Sequence, residues 1–320
     1  DRKEWDAEWI RHFGLQPSLF PEAVPGGSPV GTFKSELEAP GCTGETRVAI
    51  AGHDHVAAAL AVGAIEPGIV YDSMGTAETL VGTLDGRELT KEDFAAGLSF
   101  GIHIAEGRYF WMGGQSSSGG SVEWLRELLG DPVLSYEQVL ALSAAAKEGP
   151  TGVLYFPYLS GSGAPMPDSG VRASFVGLSK FHGKSDLLKA VLEGTAYQLT
   201  FMKRSAEKLT GNPITRLSVV GGGTRNPLWL SGKADISGCE LMLPGIPEAT
   251  LLGGALAAGV GAGVYANAAE AVEAAKRGIA QDGIATRVIV PDAKRHAQYR
   301  TLYEQGFEPL QGPLRAFRGL

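Results

Sequence analysis

The stretch Asp72-Ser73-Met74-Gly75-Thr76 decides how this chain folds, because it ends an apolar segment and begins a tight turn. The apolar residues before it predict a strand over residues 69–74, and a second strand is predicted over residues 79–84. Glycine allows close approach to the backbone, while N–H groups and a hydroxyl can bind phosphate oxygens. The stretch therefore predicts a strand–turn–strand unit that is either an ordinary hairpin or a phosphate-binding turn.

The stretch Gly52-His53-Asp54-His55 follows a predicted strand at residues 47–51 and precedes a predicted helix at residues 55–63. Asp54 at the strand tip can act as a general base for a substrate hydroxyl. Together with a phosphate-binding turn, it would equip the chain for phosphoryl transfer. Aspartate is also among the best N-cap residues of a helix, so a structural role for Asp54 stays open.

The two histidines beside Asp54 do not predict a metal site by themselves. No third ligand follows at a suitable spacing, and a His-x-His pair at the end of a strand would place its rings on opposite faces. We expect one of the two rings to line a polar substrate pocket.

Composition indicates a soluble globular protein of 320 residues, 44% of them hydrophobic and 20% charged. The net charge of −7 argues against a nucleic-acid partner, since no basic stripe is visible. The longest apolar stretch, residues 251–264, is too short to cross a bilayer, so no membrane partner is expected. The two cysteines make no disulfide framework, and we expect a cytoplasmic location.

Further apolar patterns predict alternating strands and helices along the rest of the chain, which indicates an α/β fold. Helices are predicted over residues 5–13, 118–129, 136–146, 185–209, 227–237, 247–263, 268–276 and 292–307. Strands are predicted over residues 98–104, 109–112, 153–156, 174–178, 217–220 and 241–243.

Residues 221–226, with the sequence Gly-Gly-Gly-Thr-Arg-Asn, follow a predicted strand and suggest contact with a nucleotide. The dinucleotide-binding fingerprint needs glycine at the sixth position, where this chain has Asn226, so an NAD enzyme is a poor fit. Three glycines between a strand and a helix can still let a base or a phosphate approach the backbone closely.

Taken in order, these motifs resemble those of the FGGY family of carbohydrate kinases, over residues 20–310. Residues 51–54 are similar to the family's catalytic strand, and residues 72–76 to its second phosphate loop. Residues 119–125 resemble the helix start beside the nucleotide, and residues 221–229 resemble the adenosine motif. The remaining matches are residues 158–161, 175–178, 190–194, 248–255 and Gly261.

The resemblance implies a ribonuclease-H-like (actin-like ATPase) domain, with a mixed five-stranded sheet flanked by helices. It implies ATP-dependent phosphorylation of a sugar or polyol hydroxyl, with Asp54 as the catalytic base and as a partial ligand of Mg²⁺. His55 would contact the substrate. The expected nucleotide contacts are Gly75 and Thr76 at the terminal phosphates, Gly119 and Glu123 near the nucleotide, and Gly222 and Asn226 at the adenine or ribose.

The chain departs from the family pattern in two ways. Where the family usually has Gly-Glu-Arg, this chain has Gly161-Ser162-Gly163, which lacks the charged pair. Family members also carry an N-terminal domain with another phosphate loop and most of the sugar pocket. We therefore interpret residues 1–45 as the connection from a missing N-terminal kinase domain, and residues 46–320 as the C-terminal nucleotide-binding domain.

Under this interpretation the chain alone would bind adenine nucleotide weakly and turn over no sugar, because closure of two domains assembles such sites. The alternatives are a non-catalytic adenine-nucleotide-binding module and a subunit of a split kinase. A homodimer also stays open, since the sequence does not determine the oligomeric state.

Overall fold

The computed structural model describes residues 4–34, 41 and 43–317 of the chain. The strands are β1 (Pro29–Thr32), β2 (Arg47–Ala49), β3 (Val70–Met74), β4 (Glu78–Asp85), β5 (Ser99–Ile102), β6 (Arg108–Gln115), β7 (Leu154–Phe156), β8 (Ser174–Val176), β9 (Arg216–Val220), β10 (Glu240–Leu243) and β11 (Arg287–Ile289). The α-helices are α1 (Ala7–His12), α2 (Asp54–Ala61), α3 (Lys91–Ala95), α4 (Gly119–Leu129), α5 (Tyr136–Ala145), α6 (Lys184–Thr210), α7 (Pro227–Ser237), α8 (Ala249–Gly261), α9 (Ala268–Gln281), α10 (Ala293–Leu302) and α11 (Gln311–Ala316).

The central sheet has seven strands in the part of the chain that is described, in the order β11-β10-β9-β3-β4-β6-β5. β9 runs parallel to both β3 and β10, whereas the other neighbouring strands are antiparallel. The predicted α/β fold with a mixed sheet between helices is confirmed. The sheet is wider than the expected five strands, because β5 and the three-residue β11 extend its two edges.

Helices cover both faces of the sheet and bury a separate apolar cluster on each. Helices α2, α8 and α9 pack on one face around Leu60, Val81 and Leu256. Helices α4 to α7 pack on the other face around Leu80 and Leu199. The neighbours Leu80 and Val81 of β4 lie in opposite clusters because side chains alternate along a strand.

Local sequence signals determine where α7 begins and where α6 ends. Asn226 caps α7 by accepting hydrogen bonds from the N–H groups of Leu228 and Trp229. Pro227 occupies the first position of the same helix, where its missing N–H costs nothing. The long helix α6 ends at Gly211, whose φ of 70° is a left-handed conformation that favours glycine.

Part of the segment interpreted as an inter-domain connection packs on the body of the domain. β1 pairs with β2 in an antiparallel two-stranded sheet, and Gly27 donates its N–H to the carbonyl of Ile50 at 2.7 Å. The domain boundary at residue 45 stays a prediction. Cys42 lies outside the described residues. Even α6, with 27 residues, lacks the apolar length needed to cross a bilayer, and the same holds for every other described helix.

Candidate active site

Asp54 lies at the first position of α2, at the edge of an open cleft. The residue that caps the helix is His53, so the alternative that Asp54 is the N-cap is wrong. Asp54 Oδ1 accepts the His55 N–H at 2.7 Å and lies 2.8 Å from His53 Nδ1. The same His55 N–H lies 3.2 Å from His53 Nδ1, so it is shared by the imidazole nitrogen that caps the helix and by Asp54 Oδ1. Asp54 Oδ2 makes no hydrogen bond to the described residues, and the side chain is 67% exposed.

The rings of His53 and His55 stack on each other instead of facing opposite sides. Their centroids are 5.7 Å apart and their planes differ by 21°. The prediction of opposite faces was wrong because the two residues lie at the first turn of a helix, where the alternation of a strand does not hold. Burial lowers the pKa of His55, an effect that Asp54 partly opposes, and the ring is therefore neutral at pH 7.

The cleft in front of Asp54 has a volume of about 490 Å³ and combines hydroxyl, imidazole and backbone groups. It is lined by His53, Asp54, His55, Thr79, Gly97, Ser99, Met112, Gly114, Ala164 and Pro167. Thr79 belongs to β4 and lies three residues after Thr76, so the same hairpin supplies a wall of the cleft and the predicted phosphate turn. The sequence had not indicated Thr79, Ser99 or Pro167, since no local motif marks them.

The loop that lacks the family's charged pair closes this cleft on another side. Gly163 packs so tightly that an added Cβ would lie 2.0 Å from the carbonyl oxygen of Gly114. Ser162 Oγ donates to the Met166 carbonyl at 2.7 Å and accepts from Arg315 at 3.2 Å. A guanidinium from α11 thus contacts the loop where the family has charged residues of its own.

The turn at Gly75 and Thr76 contacts the first turn of α4. The N–H groups of Gly119 and Gly120 donate to the carbonyls of Gly75 and Thr76, both at 3.0 Å. The start of α4 is therefore occupied by the turn and does not point its N–H groups into an empty site. The N–H and hydroxyl of Thr76 have no hydrogen-bond partner in the described residues, and the residue is exposed.

The glycine-rich loop before α7 lies against the same turn. An added Cβ on Gly221, whose φ is 99°, would lie 2.6 Å from the Met74 carbonyl oxygen, and one on Gly223 would touch the Met74 side chain. Gly222 has no atom within 4 Å of its Cβ position, so its backbone is open to a ligand. Asn226 uses its Oδ1 as the helix cap, and its amide nitrogen has no partner among the described residues.

Glu123 lies one turn into α4, but its carboxylate has protein partners. It accepts from Arg126 Nε at 2.9 Å and from the Tyr136 hydroxyl at 2.6 Å. The structure thus brings together the segments of Gly75, Thr76, Gly119, Gly222 and Asn226. The role of each residue toward a nucleotide stays a prediction, and Glu123 would contact one only with a carboxylate that is already paired.

Magnesium ions in nucleotide sites are held by few carboxylates together with phosphates and waters. Within residues 4–34, 41 and 43–317, no group of three or more His, Cys, Asp or Glu side chains is placed to hold a metal ion. The exposed Asp54 carboxylate fits a magnesium site in which the nucleotide supplies most of the ligands. One free carboxylate oxygen at a cleft suffices there, because phosphates supply the other ligands.

Comparison with known proteins agrees with this architecture. The chain is 30% identical over 305 residues to a xylulose kinase of Lactococcus lactis, which covers 95% of this chain and 59% of that protein. It is 30% identical over 282 residues to a glycerol kinase of Gloeobacter violaceus, covering 85% of this chain and 54% of that protein. A crystal structure of a "xyloylose kinase" from Brucella ovis superposes with a TM-score of 0.83 at 26% identity, over 98% of this chain and 61% of that one.

The chain thus spans less than two thirds of the length of these relatives. The family model described as "FGGY family of carbohydrate kinases, C-terminal domain" matches residues 70–262, which run from β3 to the residue after α8. This range contains the turn at Gly75, the start of α4 and the loop before α7. The chain belongs to the FGGY family of carbohydrate kinases.

Proposed function

We propose that this chain is the nucleotide-binding, base-bearing part of a kinase that transfers a phosphoryl group from ATP to a hydroxyl of a sugar or polyol. The observation that carries the proposal is the shared cleft, in which Asp54 faces Thr79 of the hairpin that forms the phosphate turn. The xylulose and glycerol kinases among the relatives suggest a polyhydroxylated substrate.

Asp54 would act as the general base through its free oxygen. Its Oδ1 accepts the His55 N–H, which fixes the carboxylate and leaves Oδ2 to accept the proton of the attacking hydroxyl. As that proton moves to Oδ2, the hydroxyl oxygen forms its bond to the γ-phosphorus and the bond to the β-phosphate oxygen breaks. A placed base of this kind contributes roughly 10²–10⁴ in rate.

The neutral His55 ring suits a polyhydroxyl substrate. A neutral imidazole offers one donor and one acceptor to neighbouring hydroxyls, whereas the charged ring could only donate. Since burial lowers the pKa of His55, we propose that it orients the sugar beside Asp54. Mg²⁺, which neutralises charge on the phosphates when bound, would be held partly by the Asp54 carboxylate.

The nucleotide would lie across three adjacent segments. We propose that its terminal phosphates contact the free N–H and hydroxyl of Thr76, and that its adenosine lies on the open backbone of Gly222, within reach of the Asn226 amide. Because the chain spans 59% of the length of a xylulose kinase, we further propose that an N-terminal domain supplies the rest of the sugar pocket and closes over this cleft.

Calorimetric titration of the chain with ADP tests this proposal. Gly222→Ala places a methyl group in the open space where adenosine would lie, and should weaken ADP binding about tenfold. Gly232→Ala is the matched control, because its Cβ position is equally open but lies further along α7. We expect both variants to unfold at or above the wild-type temperature. Failure of the wild type to bind ADP, or equal affinities of the two variants, would contradict the nucleotide site.

A further inference from the structure

A buried ionic cluster lies directly behind the phosphate turn. Lys233 Nζ contacts Asp72 Oδ2 at 2.7 Å and also contacts Glu78 Oε1, and all three side chains have 0% exposure. No local sequence pattern indicates this cluster, because Lys233 is 161 residues from Asp72 and 155 from Glu78.

The cluster bridges the three segments that we propose contact the nucleotide. Asp72 lies near the end of β3 and Glu78 at the start of β4, so the two carboxylates flank the turn at Gly75. Glu78 Oε2 also accepts from the Ser118 hydroxyl at 2.5 Å, and Ser118 directly precedes α4. Lys233 belongs to α7, the helix capped by Asn226.

Stability alone does not account for such a cluster. Removing three ionisable groups from water is costly, and apolar replacements of buried ion pairs are often neutral or stabilising. Asp72 Oδ1 is also buried without a hydrogen-bond partner in the described residues, which adds to the cost. Burial raises the pKa of Asp72 to about 8, against the opposing effect of Lys233. A protonated Asp72 beside one lysine and one carboxylate would leave the cluster without net charge.

We propose that Lys233 is a positioning residue that, through Glu78 and Ser118, holds the turn at Gly75 and the start of α4 in the arrangement that binds nucleotide phosphates. The link from Lys233 to Glu78 fixes the first residue of β4, and the link from Glu78 to Ser118 fixes the N-cap of α4. This inference deepens the proposed function and rests on it for its consequence, the nucleotide affinity.

The amides of Ser118, Gly119 and Gly120 report directly on this arrangement, because they donate to the carbonyls of Gly75 and Thr76. The experiment measures their hydrogen exchange and the ADP affinity in the 320-residue chain carrying Lys233→Met and Glu78→Gln together. The double change removes the lysine and the Glu78 carboxylate together, so that loss of the lysine does not leave Glu78 charged and unpaired. We expect exchange of these amides to rise about tenfold or more, and ADP binding to weaken at least about tenfold.

Lys203→Met is the matched control. Lys203 is nearly buried on α6 and donates to Glu207 at 2.8 Å and to the Ile214 carbonyl at 3.2 Å, away from the turn. Its loss should leave exchange of the three amides and the ADP affinity within about twofold of the wild type, whatever its effect on overall stability. Faster amide exchange and weaker ADP binding in the double variant, but not in Lys203→Met, would show that the cluster positions the turn. The same response in both variants would show only a general loss of stability.

Ser118→Ala provides the same readouts if the double variant does not fold, since it removes only the hydroxyl that links α4 to Glu78. Amides of Gly119 and Gly120 as protected as in the wild type, in either folded variant, would overturn the inference. If amide exchange rises in the variants while the wild type binds no ADP, the proposed function is wrong, but the cluster still holds the turn at Gly75 against α4. Should the wild type bind ADP with equal affinity to the variants, the role of the cluster in binding is wrong.

Discussion

Gly119 donates its N–H to the carbonyl oxygen of Gly75 at 3.0 Å, and a Cβ added to Gly119 would come within 2.6 Å of that same oxygen. The first turn of α4 thus packs directly on the turn at Gly75, with no room for a side chain between them. The next residue, Gly120, differs, because its Cβ would meet Thr76 at an ordinary distance of 3.5 Å. A side chain is therefore sterically excluded at Gly119 but can be accommodated at Gly120.

Gly119→Ala should displace the turn from the start of α4. We expect a loss of about 1–3 kcal/mol in the free energy of unfolding, since an overpacked backbone contact must shift, and a drop in ADP affinity of about tenfold. Gly120→Ala should retain the affinity within about twofold and gain up to about 1 kcal/mol, as expected for Gly→Ala in a helix. Denaturant titration and calorimetry measure the two quantities, and indistinguishable variants would contradict the packing described above.

A similar pair of glycines tests how α2, the helix that carries Asp54, is held in place. A Cβ on Gly253 of α8 would lie 1.8 Å from the carbonyl oxygen of Ala57 in α2, whereas Gly254 has no atom within 4 Å of its Cβ position. Gly253→Ala should lower the free energy of unfolding by about 2–3 kcal/mol, and Gly254→Ala should raise it by up to about 1 kcal/mol. Thermal and denaturant unfolding measure the stability of the two variants. Equal stabilities would mean that α2 and α8 do not cross at Gly253.

Acid should destabilise the domain through His103. This side chain is buried with 2% exposure, and burial lowers the pKa of His103 to about 4. The unfolded chain therefore takes up a proton near pH 6.5 that the folded domain takes up only near pH 4. The free energy of unfolding is therefore highest above pH 6.5 and decreases by about 3 kcal/mol as the pH falls toward 4.

Denaturant unfolding from pH 7 to pH 4 measures this effect as the difference between the wild type and His103→Asn. The asparagine oxygen can still accept the Ala105 N–H that His103 Nδ1 accepts at 3.0 Å, while the titrating group is gone. We expect the wild type to lose more stability on acidification than the variant. Parallel curves for the two proteins would show that His103 remains accessible to protons in the folded state.

Much of the fold follows from local patterns in the sequence. The buried strands β3 and β9 and the long helix α6 have continuous apolar or helical periodicity, and the segments around Gly75, Gly119 and Gly222 carry turn signals of their own. β11 was not predicted, because its three residues lie at an edge and are mostly exposed, which leaves no apolar pattern.

The features that local patterns missed depend on contacts between distant residues. The pairing of Lys233 with Asp72, and the lining of the cleft by Ser99, arise only when the sheet has formed. Asp54 and His53 show a different limit, since aspartate is among the preferred N-cap residues and yet the preceding His53 occupies the cap position.

We propose that Asp54 is the base of a phosphotransferase. In the longer kinase that we propose contains this chain, the direct measurement is sugar-dependent ADP release by the wild type, by Asp54→Asn and by the control Asp282→Asn, which alters a carboxylate at the end of α9. We expect Asp54→Asn to lower the rate by roughly 10²–10⁴ with little change in ADP affinity, and Asp282→Asn to match the wild type. Release by Asp54→Asn at a rate close to that of the wild type would contradict the claim.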